Sequence, residues 1–335
     1  MIDTIYIEEA AAEFAKTDQI LARFPRARKI TVRRYGEIFN PKAQNFRLQK
    51  NNPALILAVK HDGFVLPAPA HYGIGGEHNY YFSHMMNCVY DCRYCFLQGM
   101  YQSANYVVFV NFEDFFSAIG EQQGLLGESR QNGWFFSGYD CDSLALEPVT
   151  QFIHDALDEF AKLPDARLEL RTKSTQIRPL LKREAMANCV VAFSLSPAEI
   201  VAALEHKTAS LEKRVQAAKT LGERGWPIGL RFDPIIGTEN FQAVYRRFFD
   251  FVFSELPESF IHSVSLGPFR LPKPFYKKML QLYPEEPMFA ADMQAHDNLV
   301  SYETQAEQQM LAFCRERILQ SIPDGKFFPC VEIAP

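Results

Sequence analysis

From about residue 79 onward, short β-branched or aromatic runs alternate with amphipathic stretches of helical period. The runs cover residues 79–83, 134–138, 167–172, 190–195, 227–232 and 261–266. Between them, 147–161 places Phe152, Ala156, Leu157 and Phe160 on one helical face, and 211–222 and 241–253 repeat the pattern. Thr238, Glu239 and Asn240 read as a helix start before Phe241, and Gly225 before Trp226-Pro227 reads as a stop. A chain that keeps alternating strand and helix in this way builds parallel β/α units. The six units are two short of an eight-stranded barrel. The expected fold class is therefore α/β: a partial (β/α)6 TIM-type barrel, open on one side, with a small N-terminal α/β lobe and a C-terminal extension. Periodicity alone also admits an open doubly wound sheet. The expected domains are a basic lobe over 1–75, the barrel over 76–285 and the extension over 286–335.

A length of 335 residues exceeds one small module, and 47% hydrophobic against 22% charged residues supports a large core and excludes global disorder. The net charge of −5 excludes a polycationic surface, so any nucleic-acid affinity must be local. Residues 23–50 hold Arg23, Arg26, Arg28, Lys29, Arg33, Arg34, Lys42, Arg47 and Lys50 against Glu37 alone, a local +8 that leaves −13 for the rest. Phe24, Tyr35, Phe39 and Phe46 are interleaved with these charges, which fits either a phosphate-contacting surface or a solvated face. No run of eighteen apolar residues exists, so no membrane span is expected. The start, MIDTIYIEEA, lacks a basic stretch followed by an apolar one, so no secretory signal is expected either. Seven cysteines, three of them within eight positions, do not make a disulfide framework. They point to a reducing, cytoplasmic compartment with thiolates kept for a metal.

Those three are Cys88, Cys92 and Cys95, spaced C-x3-C-x2-C on the loop after the first predicted strand. Three thiolates on one short loop can wrap a cubane iron–sulfur cluster and leave one iron without a protein ligand. No fourth cysteine is in local reach, the next being Cys141. An open coordination position marks a catalytic rather than a structural metal centre. The alternative is a zinc site made by Cys88, Cys92, Cys95 and a histidine such as His84, although only one C-x2-C pair is present.

This spacing, with Tyr94 just before the last cysteine, resembles the radical S-adenosylmethionine superfamily. The resemblance implies a partial six-unit barrel, a 4Fe–4S cluster on Cys88, Cys92 and Cys95, and S-adenosyl-L-methionine chelated at the free iron and split by one electron to a 5′-deoxyadenosyl radical. Many superfamily members carry Gly-Gly-Glu at the end of the next strand. Here Gly75-Gly76-Glu77 lies before the cluster and reads as a loop, and the strand end is Cys141-Asp142-Ser143. A cysteine followed two residues later by serine resembles the spore photoproduct lyase family, radical enzymes that repair a methylene-bridged thymine pair in DNA. Arg171-Thr172-Lys173, Phe193-Ser194-Leu195-Ser196, Lys213-Arg214-Val215-Gln216-Ala217-Ala218, Gly225-Trp226-Pro227-Ile228-Gly229, Asp233-Pro234-Ile235-Ile236 and Ile5-Tyr6-Ile7-Glu8 resemble other stretches of that family.

The family likeness implies a carbon–carbon lyase acting on 5-thyminyl-5,6-dihydrothymine. Tyr94, Ser143, Lys173 and Ser194 would hold S-adenosylmethionine, and Cys141 would return a hydrogen atom to the product. Implied partners are damaged DNA and a reductant such as flavodoxin or ferredoxin. No membrane partner is expected, and the chain is expected to be a monomer. Cys189, Cys314 and Cys330 have no such context and read as structural. The chain departs from the family in two places. Phe96 stands where family members have a tyrosine thought to relay a hydrogen atom, and the tail lacks the family's basic, Tyr- and Gly-rich stretch. Arg270, Lys273, Lys277 and Lys278 are candidate phosphate contacts, or a solvated helix face. Two other readings therefore stand beside photoproduct repair. One is the same radical machinery acting on a different nucleic acid or small molecule. The other is a non-catalytic, zinc-bearing nucleic-acid-binding protein.

Overall fold

The computed structural model describes residues 2–42, 44–127 and 132–333. The six expected strands are all present, as His78–Phe82, Gly133–Ser137, Arg167–Thr172, Cys189–Ser194, Ile228–Ile235 and Ile261–Pro268. They lie side by side in chain order, every neighbouring pair parallel. Gly133–Ser137 and Cys189–Ser194 are buried along their whole length, as strands covered on both faces must be. The sheet curls into a half barrel and does not close. Two short strands extend it beyond the expected six: Phe327–Pro329, parallel to the sixth, and Leu66–Pro67, antiparallel to the first. The doubly wound alternative is excluded by this order, because no strand direction of travel reverses across the six.

A second sheet runs Arg28–Val32, Thr4–Glu8, Leu55–Ala58, Tyr106–Phe109 and Met85–Met86, the first four parallel and the last antiparallel. Its last two strands come from chain that follows the first barrel strand. Ile5, Leu57 and Val108 of this sheet join Phe135, Leu168 and Phe193 of the barrel in one apolar core. After the sixth strand, Leu271–Pro272 pairs with the hairpin Met293–His296 and Leu299–Tyr302. Helix Thr304–Leu319 then sends Leu311, Cys314 and Ile318 into the core.

The helices at Leu211–Gly222 and Phe241–Glu255 follow the expected periods. The stretch 147–161 does not form one helix. It breaks at Gln151, whose φ is 51°, into Glu147–Thr150 and Phe152–Phe160. The break has a local cause: the Glu147 carboxylate accepts the Ile153 N–H (3.0 Å) and Thr150 Oγ1 accepts the Phe152 N–H (3.3 Å), so side chains cap a new first turn. Phe152, Ala156, Leu157 and Phe160 are buried on one face as the period requires. No helix among the described residues is long and apolar enough to cross a membrane.

Candidate active site

The loop between the first barrel strand and the helix Leu97–Met100 carries Cys88, Cys92 and Cys95. Its entry is Asn87, at φ 73°, a left-handed conformation that asparagine tolerates better than most residues. The Asn87 amide donates to the carbonyls of Ser103 (2.8 Å) and Asn105 (3.1 Å), and its oxygen accepts the Cys88 N–H (3.0 Å). The Asn87 N–H donates to the Asp140 carbonyl at 2.9 Å, which ties the loop to the end of the second strand. Buried Lys50, from the basic segment, donates to the carbonyls of Cys88 (3.3 Å) and Tyr90 (3.2 Å). Asp91–Cys92 pairs antiparallel with Glu205–His206, and the Gln98 amide donates to Asp91 (2.8 Å) and to the Cys92 carbonyl (3.2 Å).

All three cysteines line one cavity of about 610 Å³ at the carboxyl ends of the strands, the end where barrel folds place chemistry. Tyr94, Cys141, Lys173 and Ser194 line it as well, so seven of the eight residues singled out in the sequence share one space. The eighth, Ser143, does not face it. Ser143 Oγ donates to Ser137 Oγ at 3.2 Å, and its N–H donates to the Arg171 carbonyl at 3.0 Å. It lies behind Gly138, at φ 90°, where a Cβ would stand 2.6 Å from Ser143 Oγ and 3.0 Å from the Arg171 carbonyl oxygen. Only glycine fits that turn, and the turn delivers Cys141 to the cavity.

Among the described residues, no three Cys, His, Asp or Glu side chains converge closely enough to hold a single ion. The three cysteines line a cavity of about 610 Å³, which has room for a multi-iron cluster. His84 is not available as a zinc ligand here. It is buried in the core, stacked on Phe152 with ring centroids 3.7 Å apart, and burial pushes its pKa down to about 3. Burial likewise pushes the Cys88 thiol up to about 12, so stable thiolates here require a cation among them. The cavity volume lies in the range that encloses a nucleoside-sized ligand, ~300–1,000 Å³. Cavity size, thiol donors and a lining ammonium together fit a cluster with S-adenosylmethionine.

Behind the loop sits a buried polar knot that the sequence did not reveal. The Tyr94 hydroxyl donates to Glu205, Ser196 Oγ donates to Glu205 at 3.0 Å, and Arg214 pairs with Glu205 at 2.5 Å, both side chains fully buried. Arg214 also donates to the Ser194 carbonyl (3.0 Å), Thr208 Oγ1 (2.7 Å) and the Ala209 carbonyl (2.8 Å). Burial works against the charge on Lys173, but Cys92 and Glu205 hold its pKa above the usual range. Its ammonium stands 5.6 Å from the Tyr94 ring centroid. Asp142 joins the second and third strand ends: it accepts Thr172 Oγ1 (2.6 Å) and the Lys173 N–H (2.6 Å). Because Glu205 would lose its one direct buried ion pair and the ties of Arg214 to Ser194, Thr208 and Ala209 would be cut, Arg214→Ala is expected to lower unfolding free energy by about 3–5 kcal/mol. Urea denaturation checks this; a loss below about 1 kcal/mol would show that Lys173 alone neutralises Glu205.

Three further residues enter the cavity unannounced: Arg171, Asp233 and Cys330. Cys330 was expected to be structural, yet the tail strand Phe327–Pro329 and the Cys330 N–H bond to the Leu266 carbonyl (2.8 Å) bring it to the cavity wall. Arg270, a candidate phosphate contact, also turns inward and pairs with Asp233 at 3.0 Å. Lys273 and Lys277 are exposed. A second cavity of about 560 Å³ lies at the opposite ends of the strands, around His78, Trp134, Arg167 and His262. It holds none of the cysteines, so the chemistry belongs to the first.

A three-cysteine loop after the first strand of an open parallel barrel, facing a nucleoside-sized cavity, defines a radical S-adenosylmethionine enzyme. Comparison with known proteins narrows the class. Residues 1–305 match the family described as Spore photoproduct lyase, and the chain belongs to that family. It is 25% identical to the spore photoproduct lyase of Bacillus subtilis (strain 168) over 203 residues, 59% of this chain and 58% of that one. It is 26% identical to that of Clostridium acetobutylicum over 169 residues, 50% of this chain and 49% of that one. The aligned stretch thus spans less than three fifths of these relatives' length. The fold resembles that of a doubly substituted spore photoproduct lyase with bound AdoMet and dinucleoside spore photoproduct, with a TM-score of 0.86, 17% identity and coverage of 99% of this chain and 98% of that one. A spore photoproduct lyase complexed with dinucleoside spore photoproduct gives 0.83 at 16% identity, with the same coverage.

Proposed function

We propose that the chain is a radical carbon–carbon lyase that reverses the methylene-bridged thymine dimer, 5-thyminyl-5,6-dihydrothymine, in DNA. The observation that carries this reading is the presence of Cys141 in the same cavity as Cys88, Cys92 and Cys95. When bound, the cluster and S-adenosylmethionine supply a one-electron bond cleavage that yields a hydrogen-abstracting carbon radical. The protein's part is to hold, shield and quench. Cys88, Cys92 and Cys95 grip the cluster. Lys173 would supply an ammonium for the methionine carboxylate, Ser194 and the Tyr94 ring would shape the pocket, and Ser143 would act only through the Gly138 turn. Phe96, Tyr72, Tyr81 and Tyr139 wall the cavity and keep water from the radical. The lesion would lose a hydrogen atom to form 5′-deoxyadenosine, the bridge would break, and Cys141 would give a hydrogen atom to the product radical. The thiyl left on Cys141 would be restored to thiol by a hydrogen atom from 5′-deoxyadenosine or by one electron from the reductant and a proton. Phe96 carries no hydroxyl, so that step runs without a phenol at this position.

The test is anaerobic reconstitution with iron and sulfide, a chemical reductant, S-adenosylmethionine and ultraviolet-damaged DNA carrying the lesion. Repair releases intact thymines. Persistence of the photoproduct while 5′-deoxyadenosine accumulates would assign the chain a different substrate.

The lesion must leave the duplex stack to reach this cavity, and flanking phosphates then need a cationic surface. Arg28, Lys29, Arg33 and Arg34 are exposed on and beside the edge strand Arg28–Val32, which pairs on one side only. Replacing all four with glutamine is expected to flatten the slope of log affinity against log salt by about 3–4 units, measured by fluorescence anisotropy on damaged duplex. An unchanged slope would make this a merely solvated edge.

A further inference from the structure

Lys50 ends the basic segment but does not share its exposed face. It is 5% exposed, and it lines the cavity together with Cys88, Cys92 and Cys95. Its backbone is pinned on both sides: its N–H donates to the Phe46 carbonyl (3.0 Å), and its carbonyl accepts the Lys207 ammonium (2.9 Å). Its own ammonium stands 5.6 Å from the Phe46 ring centroid and donates only to the carbonyls of Cys88 and Tyr90. Those acceptors are neutral. Among the described residues Lys50 makes no ion pair, and the nearby Asp91 is committed to Arg93 and to the Gln98 amide, each at 2.8 Å. Burial pushes the Asp91 carboxyl up, and Arg93 first and Lys50 second more than offset that rise.

An ammonium taken out of water is costly unless a counter-charge faces it. Here the group it faces is the cysteine loop. Burial raises all three thiols; Lys50 works against that rise at Cys88 and Cys95, and Lys173 does so at Cys92 and Cys95. The charge of Lys173 would be engaged by the methionine carboxylate, whereas that of Lys50 stays with the loop. We propose that Lys50 is a positioning residue whose fixed charge sets the reduction potential of the cluster held by Cys88, Cys92 and Cys95. This rests on the radical reading and adds to it the group that makes the first electron easier to accept. Uptake of one electron from an external reductant makes an already anionic, thiolate-bound group one unit more negative. A fixed cation beside it stabilises the reduced form more than the oxidised one, and so raises the potential.

The test is an anaerobic redox titration of reconstituted protein without S-adenosylmethionine, followed by the electron paramagnetic resonance signal of the reduced cluster. Lys50→Met removes charge and donor, Lys50→Gln removes the charge but keeps an amide donor, and Lys50→Arg keeps the charge. The Met and Gln variants are expected to titrate at least about 59 mV lower than the unsubstituted protein, a tenfold change in the ratio of reduced to oxidised cluster for one electron. The Arg variant should stay close to the unsubstituted protein. Iron content and far-ultraviolet circular dichroism report cluster assembly and fold. Loss of iron from the Met and Gln variants but not from the Arg variant would also show that the charge is what the loop needs. An unchanged potential in the Met and Gln variants, an equal fall in all three, or loss of iron from all three makes Lys50 a steric prop and overturns the proposal while leaving the radical reading intact. An unsubstituted protein that assembles no cluster overturns the radical reading and the proposal with it.

Discussion

Cys92→Ala is expected to purify without its cluster and to produce no 5′-deoxyadenosine. Iron should fall from about four atoms per chain to less than about one. The fold should survive. Cys92 is held by its backbone pairing with Glu205 and by the Gln98 bond to its carbonyl, neither of which involves sulfur. Its side chain touches a small apolar cluster with Tyr94, Ile200, Leu204 and Ile236, where the loss of one sulfur leaves little void. The change is therefore read through metal content and the visible absorption of anaerobically reconstituted protein, with thermal unfolding as the control. Full iron occupancy and undiminished deoxyadenosine in this variant would remove the loop from the mechanism. One zinc per chain in the colourless unsubstituted protein would favour the binding-protein alternative.

How much of this was legible in the sequence depended on whether the signal was local. Arg167–Thr172 and Leu211–Gly222 have the bounds expected from their patterns, because burial on both faces and a 3.6-residue period are written into contiguous residues. The cysteine loop was equally legible, its spacing being a local fact. The helix break at Gln151 was missed, since it depends on Glu147 reaching forward to Ile153, which competes with a period that continues through it. The Glu205–Arg214 knot and the Lys50 prop on the cluster loop were invisible for a stronger reason. Lys50 reaches carbonyls 38 and 40 residues away, and nothing in its neighbourhood marks it off from the other basic residues of its segment. Cys330 shows the same limit. Its surroundings in the sequence are bland, and only the pairing of the tail with the sixth barrel strand places it opposite Asp233.

Cys141→Ala is the substitution with the sharpest expected consequence for product identity. Cys141 is 6% exposed, and burial first, then Cys88, Asp142 and Asp140, push its thiol well above the usual range. The group is thereby kept as S–H, which can give a hydrogen atom, rather than as a thiolate, which cannot. Its place on the wall is fixed by its neighbours: Asp140 takes the Ser83 hydroxyl and lends its carbonyl to Asn87, while Asp142 accepts the N–H groups of Leu144 and Ala145 at 3.0 Å and 2.9 Å. Alanine should leave that frame intact and remove only the hydrogen source. Cleavage of S-adenosylmethionine should continue in the presence of lesion, while the yield of intact thymines falls by more than about tenfold and other products appear. A thiol hydrogen exchanges with solvent, so the unsubstituted protein in deuterium oxide should place one deuterium in each repaired thymine pair, and the variant should not. Intact thymines in normal yield from Cys141→Ala, carrying deuterium as before, would show that the hydrogen comes from another group in the cavity.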